Sequence, residues 1–233
     1  MQSVIFDLDD TLYDRTQPLR KAFLEKVDHP NVSFEHFYRI YQTYSDIAFE
    51  QVKDKQMTLE ESHIFRISET LLELGMKISR EDAQSFQASY AHYQQQIEPF
   101  PFIQEILDFL QDQGVQTCIM TNGPTPNQRK KVKNLGLSSY FKPEEILVSS
   151  EEGVAKPDRQ IFEIAEQRFR LDKEQTWYIG DSYHHDIVGA ASSGWQTIWL
   201  NQNNQYPIDS PYQPTKSVSS TLELKEYLME LFQ

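Results

Sequence analysis

Residues 4–11, close to the start of the chain, constrain the fold more than any other stretch. The first three of them, Val4-Ile5-Phe6, are typical of a buried strand, and the chain then leads directly into Asp7 and Asp9. Side chains two positions apart on an extended chain point the same way, so both carboxylates are expected on one side of the strand end. The simpler alternative is a buried strand that ends in a solvated acidic turn.

Three later segments add polar residues of matching chemistry. A second apolar run ends in Thr121-Asn122-Gly123, and Lys156 stands directly before a proline. A third run ends in Gly180-Asp181-Ser182, and Asp186 follows shortly after. The patterns Asp-x-Asp-x-Thr, strand-Thr-Asn, Lys-Pro and Gly-Asp-Ser-x-x-x-Asp, in this order, resemble the four motifs of the haloacid dehalogenase-like (HAD) hydrolases. Each pattern alone is a weak signal, but the ordered set is a strong one.

Short apolar runs alternate with helical patterns over most of the chain. The predicted strands cover residues 3–7, 115–120, 145–149, 176–180 and 196–200, with a short edge strand at Val218. The predicted helices cover residues 103–113, 127–134, 158–169, 185–193 and 222–232. This alternation over short connections predicts an α/β fold with a doubly wound parallel sheet, and the resemblance implies a Rossmann-like HAD core. Ligands of such sheets bind outside the carboxyl ends of the strands, where Asp7, Thr121 and Asp181 fall.

One long segment has helical periodicity throughout and no strand. Its predicted helices start at Pro18, at Phe34 with Ser33 as N-cap, at Glu60 and at Arg80, and a connection is expected at residues 29–31. We therefore predict that residues 15–97 form an inserted α-helical cap domain, and that residues 1–14 and 98–233 form the catalytic core.

Composition narrows the range of partners. Twenty-two basic and 35 acidic residues give a net charge of −13, which argues against nucleic acid polymers and anionic membrane surfaces as partners. Cys118 is the only cysteine, so an internal disulfide and a cysteine-based metal cluster are both excluded. No segment has the length of a membrane span, and no basic leader precedes the first strand, so a cytoplasmic location is expected.

The acidic residues predict a metal site. Hard oxygen ligands of this kind suit Mg²⁺, which is the expected cofactor. The resemblance implies that Asp7 and Asp181 each supply a carboxylate oxygen and that Asp9 supplies its backbone carbonyl. Asp186 is expected as an outer partner that orients metal-bound waters or Lys156.

The resemblance also implies a division of roles between Asp7 and Asp9. Asp7 attacks phosphorus and forms an aspartyl-phosphate, while Asp9 protonates the leaving alcohol and then activates the hydrolytic water. Two carboxylates in different environments can take such different roles. The expected substrate is a small phosphorylated metabolite.

The remaining motif residues are expected to bind the phosphoryl group. Thr121 donates a hydrogen bond to it and Lys156 neutralises its charge, so both are also catalytic candidates. Backbone amides near Leu8, Asn122 and Gly123 are expected to add donors. The simpler alternatives are that Thr121 and Asn122 only end a strand, that Lys156 is a solvated loop lysine, and that Asp181 caps a helix. His184 and His185 are interpreted as ordinary residues at a helix N-terminus, because adjacent helical residues diverge.

The sequence is compatible with several functions. Residues 6–13, 121–123 with Gln128, and 149–157 are similar to the bacterial pyrimidine 5′-nucleotidases, which implies nucleoside 5′-monophosphates as substrates. The alternatives are a general sugar-phosphate or phosphoglycolate-type phosphatase, a sugar phosphomutase and a 2-haloacid dehalogenase. The resemblance implies that dehalogenases lack the second aspartate, which is present here as Asp9. A regulatory protein that binds a phosphorylated ligand without turnover is the non-enzyme alternative.

Overall fold

The computed structural model describes residues 2–27, 32–205 and 209–233. The chain divides into two compact units. The core unit comprises Met1–Arg15 and Glu98–Gln233, and the helical unit comprises Thr16–Ile97. The expected connection at residues 29–31 lies outside the described residues. The role of residues 15–97 as a cap stays a prediction.

The core unit is built on a six-stranded sheet in which each neighbouring pair of strands is parallel. In chain order, the strands are β1 (Ser3–Phe6), β2 (Gln116–Thr121), β3 (Ile146–Val148), β4 (Thr176–Gly180), β5 (Gln196–Leu200) and β6 (Lys216–Val218). Their order across the sheet is β3-β2-β1-β4-β5-β6. Every residue of β1 is buried, because the strand lies in the interior of the sheet, and this explains the apolar run Val4-Ile5-Phe6. The predicted α/β parallel sheet is confirmed, including the edge strand at Val218.

The helical unit contains α1 (Gln17–Lys26), α2 (Phe34–Lys53), α3 (Leu59–Glu73) and α4 (Arg80–Tyr93). Ser33 caps α2 as predicted, since its hydroxyl oxygen accepts a hydrogen bond from the His36 amide at 3.2 Å. The helices pack around a common apolar core, to which α2 contributes Phe37, α3 contributes Ile67 and α4 contributes Phe86. This unit therefore has an apolar core of its own.

Helices and turns link the strands of the core unit. The helices are α5 (Ile103–Asp112), α6 (Thr125–Asn134), α7 (Ser149–Glu152), α8 (Arg159–Phe169), α9 (Gly189–Ser192) and α10 (Thr221–Leu231). A π-helical turn, Tyr183–Val188, stands where the sequence predicts the start of an α-helix. None of the helices that the structure describes combines the length and apolarity needed to cross a membrane.

The thiol of Cys118 tests the packing of the core unit. Cys118 lies in β2, is fully buried and pairs in register with Ile5, and burial raises the pKa of its thiol to about 12. We expect no reaction with a disulfide reagent near pH ~8, because the reactive thiolate is scarce and inaccessible. The same protein in concentrated guanidinium chloride, the control, should react with one equivalent. Stoichiometric labelling of the folded protein would show that this part of the sheet opens readily.

Candidate active site

The carboxyl ends of three adjacent strands meet at one edge of the sheet. Asp7 follows β1, Thr121 ends β2 and Asp181 follows β4, as the sequence predicts. A pocket of about 390 Å³ lies there. Its lining includes seven of the eight predicted site residues: Asp7, Asp9, Thr121, Asn122, Lys156, Asp181 and Asp186. The other lining residues are Asp10, Arg15, Ser182, His185 and Gln205.

A buried ammonium group lies at the centre of this arrangement. Lys156 Nζ lies 2.6 Å from Asp7 Oδ1, 2.7 Å from Asp186 Oδ1, 2.7 Å from the Tyr178 hydroxyl oxygen and 3.1 Å from the Met120 carbonyl oxygen. These four acceptors share its three protons. Burial opposes the charge, but Asp186 and Asp7 outweigh it and raise the pKa of Lys156 well above its usual value. Lys156 is 4 % exposed, so its interpretation as a solvated loop lysine is wrong.

Asn122 fixes the backbone at Lys156. Its Nδ2 donates to the Lys156 carbonyl and its Oδ1 accepts from the Lys156 amide, both at 3.0 Å. The Gly123 amide donates to Ser149 Oγ at 3.0 Å, and Gly123 does not line the pocket. The Gly123 amide is therefore already paired within the protein. Its expected role as a donor to a phosphoryl group stays a prediction, and this hydrogen bond argues against it.

Both carboxylate oxygens of Asp186 accept hydrogen bonds from the protein. One carboxylate oxygen accepts from Lys156, and the other accepts from the Ser182 amide at 3.0 Å. Gly180 makes this position possible, because a Cβ on Gly180 would lie 2.3 Å from Asp186 Oδ2. The cap of the π-helical turn is Ser182, whose hydroxyl accepts from the His185 amide, so the alternative role of Asp181 as the cap is wrong.

Three side chains hold the carboxylate of Asp9. The Tyr13 hydroxyl donates at 2.5 Å, Gln128 Nε2 at 2.9 Å, and Lys131 Nζ reaches both oxygens at 2.7 and 2.8 Å. Burial alone would raise the pKa of Asp9, but Lys131 and the two hydrogen-bond donors lower it below its ordinary value. The resting carboxylate is thus ionised and paired.

Asp7, Asp181 and Asp186 form a candidate metal centre. Each offers one carboxylate oxygen, and these oxygens lie within 4.8 Å of one another. Three hard oxygen donors fit Mg²⁺. Burial raises the pKa of Asp7 to about 7 although Lys156 opposes it, and burial together with Asp186 and Asp7 raises the pKa of Asp181 to about 8. A divalent cation would relieve this repulsion.

The structure qualifies two of the expected ligands. The Asp9 carboxylate is not part of the acidic group, so only the expected ligation through its backbone carbonyl stays a prediction. Asp186 belongs to the acidic group, and both of its oxygens also accept hydrogen bonds from the protein, so its expected outer position stays a prediction.

Three residues that contact the predicted site residues were not predicted from the sequence: Tyr178, Gln128 and Lys131. Gln128 and Lys131 stand three positions apart on α6 and so share a helix face, which is a detectable signal. Tyr178 places a hydroxyl within a strand that is otherwise nearly apolar, but no spacing rule links it to Lys156. His184 and His185 lie at the start of the π-helical turn, and His185 Nδ1 is 3.0 Å from Ser182 Oγ.

The family follows from comparison with known proteins. A model of the family described as haloacid dehalogenase-like hydrolase matches residues 4–200. The chain belongs to this family of hydrolases. It is therefore an enzyme of the HAD family, and the resemblance found in its four motifs is confirmed.

Named relatives of this HAD hydrolase include phosphatases. Pyrimidine 5′-nucleotidase YjjG of Escherichia coli is 38% identical over 112 residues, so the match spans about half of each protein, 47% of this chain and 48% of YjjG. Ribulose-1,5-bisphosphate 5-phosphatase of Halopiger xanaduensis is 30% identical over 211 residues, which cover 87% of this chain and 86% of the relative.

Solved structures agree with the fold. The magnesium-bound HAD-hydrolase YfnB of Bacillus subtilis has a TM-score of 0.69 at 25% identity, with 97% of this chain and 98% of YfnB covered. The L-2-haloacid dehalogenase of Xanthobacter autotrophicus has a TM-score of 0.68 at 16% identity, with 99% of both chains covered. The second likeness shows the fold alone.

Replacement of Gly180 tests the close approach of Asp186. We expect Gly180→Ala to lower the free energy of unfolding by about 2–3 kcal/mol, because the added methyl group displaces Asp186 and so disturbs Lys156. Chemical denaturation measures the change. Gly75→Ala is the control, since its Cβ meets nothing within 4 Å and costs about 1 kcal/mol through its positive φ. Equal losses for both variants would contradict the proposed packing.

Metal binding should depend on pH. Because the pKa values of Asp7 and Asp181 are about 7 and about 8, Mg²⁺ must displace protons at lower pH. We expect the affinity to rise between pH ~6 and ~8.5, by about tenfold per pH unit for each displaced proton. Calorimetry in two buffers of different ionisation enthalpy measures the release, which Asp181→Asn should reduce. The exposed Asp112→Asn is the matched control.

The metal-free protein should show the opposite trend in stability. In EDTA, the free energy of unfolding should fall as the pH rises from about 4 to about 8, because the folded state retains protons that the unfolded chain has released. Saturating Mg²⁺ should remove this fall. If neither the Mg²⁺ affinity nor the free energy of unfolding depends on pH, this metal centre is excluded.

Proposed function

We propose that this HAD hydrolase is a Mg²⁺-dependent phosphatase that cleaves small phosphate monoesters through an aspartyl-phosphate on Asp7. The observation that carries the proposal is the pairing of Asp7 with Lys156 inside an acidic group that fits a cation, with the separate carboxylate of Asp9 at the same strand end. The motif set that resembles HAD phosphatases supports the same conclusion.

Asp7 is suited to act as the nucleophile. Lys156 binds Oδ1 at 2.6 Å, and among the described residues no hydrogen bond is made to Oδ2. Oδ2 attacks phosphorus, the bond between phosphorus and the alcohol oxygen breaks, and that oxygen takes a proton from Asp9. Water then attacks the phosphorus of the intermediate, Asp9 accepts its proton, and inorganic phosphate leaves with Asp7 restored.

The charges of the resting site must change for this reaction. In the metal-free protein the pKa of Asp7 is raised and that of Asp9 is lowered, which is the reverse of what a nucleophile and a general acid need. Bound Mg²⁺ supplies the positive charge that favours ionised Asp7 and offsets the charge of the phosphoryl group. Movement of Asp9 away from Lys131 would favour its protonated form.

Thr121 and Lys156 complete the phosphoryl site. Thr121 is 1 % exposed, lines the pocket and presents a hydroxyl that can donate to a phosphoryl oxygen. Four acceptors share the three protons of the Lys156 ammonium group and hold it in place, so its charge needs no reorganisation during the reaction. Both are proposed as catalytic and substrate-binding residues.

We propose nucleoside 5′-monophosphates as the substrate class. The support is the similarity of the core segments to pyrimidine 5′-nucleotidases, including the YjjG match over about half of the chain. A sugar phosphate is the second candidate, favoured by the relative that acts as a ribulose-1,5-bisphosphate 5-phosphatase. Dehalogenation is less well supported, because Asp9 has no leaving oxygen to protonate in that reaction.

The decisive experiment measures phosphate release by the wild type and by Asp7→Asn. The panel contains nucleoside monophosphates, sugar phosphates and phosphoglycolate, with Mg²⁺ or EDTA, and halide release from 2-chloropropionate is followed in parallel. We expect Mg²⁺-dependent turnover that falls by roughly a thousandfold or more in Asp7→Asn, because the nucleophile is lost. Asp112→Asn, an exposed aspartate, should match the wild type.

The outcomes separate the candidate functions. The ranking of phosphates chooses between nucleotidase and sugar phosphatase, and trapping of an acyl-phosphate with hydroxylamine locates the intermediate. Turnover that survives Asp7→Asn or EDTA would overturn the mechanism. Halide release without phosphate release would replace it with dehalogenation.

A further inference from the structure

Gln128 links two of the residues to which the proposed reaction assigns roles. It lies on α6, and its side chain is buried although it carries a primary amide. Nε2 lies 2.6 Å from Thr121 Oγ1, 2.9 Å from Asp9 Oδ2 and 3.0 Å from the Asn122 carbonyl oxygen. We propose that Gln128 is a positioning residue that aligns Thr121 and Asp9, an inference that rests on the proposed phosphatase function.

The contact with Thr121 determines where the threonine proton points. A hydroxyl has one proton to donate and accepts through its lone pairs. Since Gln128 donates to Thr121 Oγ1, the hydroxyl proton must be directed to another acceptor. The acceptor offered by the protein, the Asn122 carbonyl oxygen, is 3.5 Å away, which is longer than an ordinary O–H···O bond. The proton is therefore available to a phosphoryl oxygen in the pocket.

Gln128 can exchange its hydrogen bond to Asp9 for one to another acceptor. The amide nitrogen has two protons and three acceptors within 3.0 Å. When Asp9 moves toward the leaving group, the freed proton can bond the Asn122 carbonyl instead. No buried donor is then left unpaired, so this amide opposes the movement of Asp9 only weakly while it still holds Thr121.

The turn after β2 is shaped around this amide. A Cβ on Gly123 would lie 3.1 Å from Gln128 Cδ and 3.3 Å from Cγ, and Gly123 has a φ of +139°. Glycine therefore lets the backbone close against the Gln128 side chain. Lys131 and Tyr13 bind Asp9 independently, so a change at Gln128 should affect alignment more than the retention of Asp9.

A double-mutant cycle tests the proposal. Gln128→Met keeps the length of the side chain but removes both donors, and Gln111→Met makes the same change at an exposed position. On the best wild-type substrate, we expect Gln128→Met to lower kcat about 30-fold with KM changed less than about threefold. In the Thr121→Val background the loss should shrink to about threefold, because no hydroxyl remains to be aligned. In the Thr121→Ser background it should stay near 30-fold.

The results have separate meanings. An equal loss in the wild-type and Thr121→Val backgrounds, or an unchanged kcat, would overturn the positioning role. If Gln128→Met does not fold, Gln128→Asn keeps a buried amide with a shorter reach and enters the same cycle. A wild type without turnover on any phosphate would overturn the proposed function and this role together, whereas an active wild type with unaltered Gln128→Met overturns the role alone.

Discussion

The buried ammonium group of Lys156 holds the strand ends of the core unit together. It bonds Asp7 after β1, Met120 in β2, Tyr178 in β4 and Asp186 in the π-helical turn. Removal of one partner from a buried ion pair typically costs about 3–5 kcal/mol, because the remaining charge is left uncompensated. The same charge stands beside the proposed nucleophile. Stability and chemistry therefore depend on one set of contacts, and a change made for either purpose affects both.

Much of the fold could be predicted because burial dictates the pattern. Strands inside a parallel sheet are covered on both faces, so β1, β2 and β4 each contain a short apolar run that is too short for a helix. The π-helical turn was not predictable in this way. It coincides with the contact of Asp186 with Lys156 and the Ser182 amide, and local propensity contains no information about such distant partners.

The candidate site was predictable where spacing fixes geometry. Asp7, Thr121 and Asp181 each follow or end a strand, so parallel pairing alone brings them to one edge. Gln128 and Tyr178 lie inside regular elements, where a helix or a strand would accept many other residues. Their importance comes from neighbours that are distant in sequence. Site residues that end a strand can therefore be recognised from the sequence. Residues inside an element that contact those site residues cannot be recognised in the same way.

The position of β1 in the sheet has a consequence for synthesis of the chain. β1 leaves the ribosome before its neighbours β2 and β4, which begin at Gln116 and Thr176. The lysine that pairs with Asp7 follows 149 positions later. Helices α1 to α4 of the intervening unit precede β2 in the chain and can form in the meantime. A nascent chain that stops before Thr176 therefore exposes one edge of β1, a strand that is buried in the folded protein, and such a species is prone to aggregation.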